Sequence, residues 1–74
     1  MRWYHSPVLL PFGEYYSQSE VQKAKVIHVR DDHEELVSFE PQYVLPRSLN
    51  WLRKYSVVEA RFDSETEELF IRIV

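Results

Sequence analysis

Leu69, Ile71 and Ile73 alternate with Phe70, Arg72 and Val74, the period-two pattern of a β-strand. Val58, Ala60 and Phe62 alternate with Glu59 and Arg61 in the same way. Between the two runs lies Asp63-Ser64-Glu65-Thr66-Glu67-Glu68, and Asp and Ser start turns through their own side-chain hydrogen bonds. Residues 57–74 therefore read as a β-hairpin. A second hairpin is expected over residues 21–40. Its strands are Ala24–Val29 and Leu36–Phe39, its turn is Asp31–Glu34, and the absence of glycine there argues against a tight two-residue turn. In the first of these strands Ala24 and Val26 share one face while Ile27 and Val29 share the other. Such a switch implies a bulge, a bend or burial on both sides.

Pro41 and Pro46 bracket Gln42-Tyr43-Val44-Leu45, which reads as a short edge strand, since proline removes ladder donors. After it, Ser48 can cap a helix of about two turns through Tyr55. Its apolar stripe is Leu49, Leu52 and Tyr55, and Arg53 and Lys54 fall in the last turn, where cations suit the helix dipole. The first twenty residues carry a weaker signal, with Val8-Leu9-Leu10 between Pro7 and Pro11 as a further strand.

The sequence accordingly predicts one domain over residues 1–74: an aromatic-rich segment, 1–20, and a β-rich core, 21–74. The fold class is α+β, mostly β: a small barrel-like or strongly twisted antiparallel sheet with one short helix. Three strands, a helix and two strands is the order of the oligonucleotide/oligosaccharide-binding barrel, and an SH3-like barrel fits nearly as well. That analogy concerns topology and assigns no function. The final strand is apolar on both faces, so it is expected in the middle of the sheet or paired with a second copy.

Composition narrows the chemistry. There is no cysteine, hence no disulfide and no thiolate metal site, and the single glycine excludes glycine-rich phosphate loops. No stretch is long and apolar enough to span a bilayer, and no signal-peptide pattern is present, which favours the cytoplasm. The acids Asp31, Asp32, Glu34 and Glu35 with His33 are contiguous and lack the central glycine of a calcium loop, so they read as a solvated tip. No serine sits in a nucleophile-elbow motif. His28, in an apolar strand close to these acids, is the one candidate general base or pH sensor. The chain is therefore expected to be no enzyme and to carry no cofactor or metal.

Charge comes in blocks: +3 over residues 21–30, −5 over 31–40, +3 over 41–62 and −4 over 63–68, within a total of −3. The leading expectation is a non-enzymatic protein-interaction module, an adaptor or regulator. Its contacts are placed at Arg2, Trp3, Tyr4, Tyr15 and Tyr16, residue types that dominate interface hot spots. Its acidic tips suit a basic partner, and residues 69–74 suit a homodimer contact. The alternative is a single-stranded nucleic-acid-binding small β-barrel using Lys23, Lys25, Tyr43, Arg47, Trp51, Arg53 and Lys54. It ranks second because the two acidic turns would flank the binding face of such a barrel and repel phosphate.

Overall fold

Both expected hairpins form, and they share a sheet that local pattern alone does not specify. The computed structural model describes the backbone of residues 3–74 and the side chains of residues 9–74. The chain runs through β1 (Trp3–Pro11), α1 (Phe12–Tyr16), α2 (Ser19–Gln22), β2 (Val26–Arg30) and β3 (Glu35–Phe39). It continues through a 3-10 helix (Arg47–Lys54), β4 (Ser56–Asp63) and β5 (Glu68–Ile73). The sheet order is β1-β4-β5-β2-β3. All neighbours are antiparallel except β2 and β5, which pair in parallel from Val26–Glu68 to Arg30–Arg72. The expectation of a purely antiparallel sheet is therefore corrected by this one ladder. The sheet is also open: β1 and β3 each pair on one side only, so no barrel closes. Strand β5, apolar on both faces, takes the central position. Both of its edges are filled by β4 and β2 and none remains for a second copy. At the sheet's margin β1 carries Pro7 and Pro11 and a register shift between Pro7 and Leu10, features that suit an edge because proline donates no ladder bond.

The helical segments between the strands cover one face. Helices α1 and α2 are too short to hold themselves. They persist because Phe12, Tyr15, Tyr16 and Val21 are buried over Ile27, Val29, Ala60, Leu69, Ile71 and Ile73. Phe12 fixes the junction twice: its ring stacks on Tyr16 at 6.1 Å, and its N–H donates to the Tyr55 carbonyl at 2.9 Å. The helix expected near residues 48–55 begins at Arg47 behind Pro46. Ser48 makes no capping bond, and Leu49 N–H donates to the Pro46 carbonyl instead. Its 3-10 form explains the spacing of the apolar stripe. Residues three apart eclipse in a three-residue turn, which brings Leu49 and Leu52 onto the same buried side.

The edge strand expected at residues 42–45 is absent. Prolines at both ends leave it few donors, and the Tyr16 hydroxyl captures Gln42 directly. That hydroxyl donates to the Gln42 carbonyl at 2.6 Å and accepts from its N–H at 2.9 Å. The mid-strand switch near residue 26 resolves simply: Ala24 precedes β2, while Ile27 and Val29 face the core. The bulge lies further on, between Val29 and Arg30.

Both acidic turns are built by their first aspartate. Asp31 Oδ1 accepts from the N–H groups of His33 and Glu34 at 2.7 and 2.8 Å. Those backbone bonds, from Glu34 and then His33, hold its carboxyl below the ordinary value. Asp63, nearly fully buried, accepts through Oδ1 from Glu65 and Thr66 N–H at 2.9 and 3.4 Å. Its carbonyl accepts from Glu67 N–H at 2.7 Å, and Glu67 closes the turn at φ 60°, a left-handed position where glycine is usual. The Glu67 carbonyl then receives Lys25 N–H at 2.7 Å, tying this turn to the start of β2.

Candidate functional site

Alternation along β2, β4 and β5 sends a second set of side chains to the face opposite the helices. Cross-strand register brings His28 beside Ser38 and Phe70, Arg61 beside Phe70, Glu59 beside Arg72, and Arg30 beside Arg72. At its centre His28 stacks on Phe70, with ring centroids 4.7 Å apart and planes inclined by 12°. His28 Nε2 lies 2.7 Å from Glu68 Oε1, and Nδ1 lies 2.9 Å from Glu35 Oε1 and 2.7 Å from Ser38 Oγ. Ser38 Oγ donates to Glu35 Oε1 at 2.7 Å.

That pattern fits an imidazolium. If the serine donates to Glu35, its oxygen is an acceptor toward His28, so both ring nitrogens face acceptors and both carry protons. Burial opposes the charge, but hydrogen bonds to Glu68 and Glu35 outweigh it and raise the histidine pKa above its ordinary value. The Ser38 and His28 bonds lower that of Glu35, and the His28 and Thr66 bonds lower that of Glu68. Serine, histidine and glutamate here follow the connectivity of a catalytic triad, yet the proton flow is wrong. The serine proton goes to Glu35, and a doubly protonated ring has no lone pair with which to accept one. The two carboxylates sit on opposite ring nitrogens and do not converge on a point, and no metal-binding group of three forms among the described residues.

The cluster should make stability depend on pH in a defined window. A raised histidine pKa contributes stability that is complete below the ordinary 6.5 and is lost as pH rises through the folded value. The lowered glutamate values contribute stability that is present above the ordinary 4.5 and is lost as pH falls through their folded values. The three groups thus reinforce the fold most between these limits. Urea midpoints for the native chain should fall from pH 6 to pH 9 relative to His28→Gln. A native-minus-variant difference that stays flat across that range would refute the imidazolium.

The exposed side of the 3-10 helix forms a second surface, on the covered side of the sheet. Trp51 meets Tyr55 edge-on at 6.2 Å, and Lys54 Nζ sits 5.4 Å from the centre of the Tyr55 ring. Arg53 Nε donates to Asn50 Oδ1 at 3.2 Å. Its guanidinium lies where a side chain on Gly13 would begin, 2.8 Å from an ideal Cβ, so the glycine lets it rest against α1.

Of the contacts expected from sequence for a protein partner, Tyr15 and Tyr16 are corrected. They are core residues, 2% and 3% exposed, because α1 turns them onto the sheet. Burial, with the Glu20 carboxylate nearby, pushes the Tyr15 phenol far up. Trp3 and Tyr4 lie in β1, opposite Asp63 and Phe62 in register. Arg2 lies outside the described residues. Of the residues expected for nucleic acid, Arg47, Trp51, Arg53 and Lys54 share the 3-10 helix, and Tyr43 stands in the loop before it. Lys23 and Lys25 fall between α2 and β2, and Lys25 pairs with Glu67 at 3.3 Å. The His28–Phe70 cluster was only half legible. His28 drew notice from its neighbouring acids, but Phe70 and Glu68 reach it through the parallel ladder. No helix among the described residues is long and apolar enough to cross a membrane. Comparison with protein-family models, with curated proteins and with solved structures finds no match.

Proposed function

We propose that the chain is a non-enzymatic protein-interaction module, an adaptor or regulator suited to a cytoplasmic setting, that docks an acidic partner segment on residues 43–55. The observation that carries this reading is one of exposure without countercharge. Tyr43, Val44 and Trp51 are 93%, 66% and 39% exposed. They belong to a stretch, residues 41–58, that holds Arg47, Arg53 and Lys54 and not one carboxylate. Exposed aromatic and apolar groups rimmed by like charge are the makings of a hot spot with electrostatic steering.

The partner's charge follows from where the acids are engaged. Asp31 and Asp63 hold backbone N–H groups, Asp32 pairs with Arg72 at 2.9 Å, Glu67 with Lys25, and Glu68 with His28. The acidic turns are thereby occupied within the fold, which weakens the case for a basic partner and favours an acidic one at the helix. The ion pairs lessen the repulsion of a polyanion without abolishing it, so the aromatic geometry is weighed as well. Single strands stack successive bases on free ring faces. Here Lys54 lies over Tyr55, and Trp51 meets that ring at right angles, so the exposed rings Tyr43 and Trp51 form no parallel stacking ladder.

A glutamate-rich peptide carrying leucine and tryptophan anchors is the first probe, with oligothymidylate as its rival. The peptide should give saturable amide shifts within residues 43–55, and Trp51→Ala should weaken it by about 2 kcal/mol or more. Oligothymidylate binding more tightly than the peptide, with a steep loss in salt, would overturn the reading in favour of nucleic acid. So would the absence of saturation by the peptide.

A further inference from the structure

The open face of the sheet holds a second feature, independent of the 3-10 helix. A shallow depression of about 250 Å³ lies on β2, β4 and β5, lined by Arg30, Glu59, Arg61, Phe70, Ile71 and Arg72. Three guanidinium groups from three adjacent strands thus border one hollow that contains one carboxylate. Arg72 Nε lies 3.6 Å and Arg61 Nη2 3.4 Å from the same Glu59 Oε1, so one acid serves two arginines. Arg72 also reaches out to Asp32 at 2.9 Å. Arg30 forms no direct ion pair among the described residues, although the Asp31 and Glu35 carboxylates act on it electrostatically and Glu35 stands opposite it in the β2–β3 ladder; its Nε donates to the Asp31 carbonyl at 3.1 Å. In the parallel ladder Arg30 stands directly in register with Arg72. Like charges in direct register repel, and an anion between them would relieve that repulsion.

We propose that this hollow is a binding site for a phosphate-sized oxyanion carried by a small molecule. Size and geometry set the class. The volume falls below the ~300–1,000 Å³ of pockets that enclose drug-sized ligands, so it suits an anionic group with few attached atoms. Guanidinium forks match phosphate oxygens in pairs. Forks arriving from three strands suit tetrahedral oxygens better than the two coplanar oxygens of a carboxylate. Phe70 provides an apolar floor beside which the charge–charge attraction is screened less than in open water.

The probe is inorganic phosphate, titrated into the full chain and followed by amide and guanidinium NMR shifts, against acetate and chloride at matched ionic strength. Phosphate should produce saturable shifts at Arg30, Arg61, Phe70 and Arg72. Arg30→Gln should weaken the response about tenfold, the loss of roughly one charge-assisted contact. That variant removes no described ion pair, so it should remain folded. Arg53→Gln, on the opposite side of the sheet, should leave phosphate binding unchanged. An equal response to acetate or chloride, or an undiminished response in Arg30→Gln, would overturn the site. Because the 3-10 helix takes no part, peptide binding there can fail while phosphate binding here succeeds, and the reverse.

Discussion

Replacing Phe12 with alanine is expected to cost about 3–5 kcal/mol, the range for a fully buried aromatic truncated to a methyl group. The whole chain of 74 residues has roughly 4–11 kcal/mol to lose, at ~0.05–0.15 kcal/mol per residue. This one change should therefore remove between about a quarter of that stability and all of it. The size of the effect follows from position. Phe12 is 0% exposed, it stacks on Tyr16, and it opens the segment that lays Tyr15, Tyr16 and Val21 over the sheet. Phe12→Leu, which keeps most of the volume, should cost far less. Urea unfolding followed by far-ultraviolet circular dichroism measures both. A loss below about 1.5 kcal/mol for alanine would show that α1 is not held by this ring.

The second large effect is expected at Asp63, with a loss of about 2 kcal/mol for Asp63→Ala. The side chain is 3% exposed and accepts from two backbone N–H groups. Alanine removes the one buried oxygen that both backbone donors share, and losing a hydrogen-bond partner of this kind costs about 1–3 kcal/mol. Asp63→Asn keeps an oxygen at the same place and should cost less than half as much. Equal losses for the two variants would mean that charge, and not the acceptor, is what the turn needs. The left-handed Glu67 adds to the sensitivity, because its backbone is held only while the preceding residues keep their course.

How far the chain could be read before its fold was known depends on the range of the interactions. Val57–Val74 and Ala24–Phe39 declare themselves because alternation and turn chemistry are local. Helices α1 and α2 do not, since segments of five and four residues exist only by packing. Their one available signal was the spacing of Phe12, Tyr15 and Tyr16, positions that meet on one side of a helical turn. The residues 42–45 misled for a related reason: a strand-like composition was overruled by one tyrosine hydroxyl from far along the chain. The arginine hollow shows the limit most clearly. Alternation predicts which side chains share a face of each hairpin. It does not say that β2 will lie along β5, and Arg30 meets Arg72 only through that ladder. Conversely, the basic, acid-free character of residues 41–58 was plain from sequence. Its two companions, Lys23 and Lys25, were grouped with it by charge, although they belong to a different part of the surface.

The position of β5 bears on how the molecule comes into being. It is the final strand of the chain and also the middle plank of the sheet, with β1 and β4 on one flank and β2 and β3 on the other. Until residues 68–73 take their place, the two flanks have no ladder in common. Residue 26 must then find residue 68 across most of the polymer, a long loop closure that comes late and slowly.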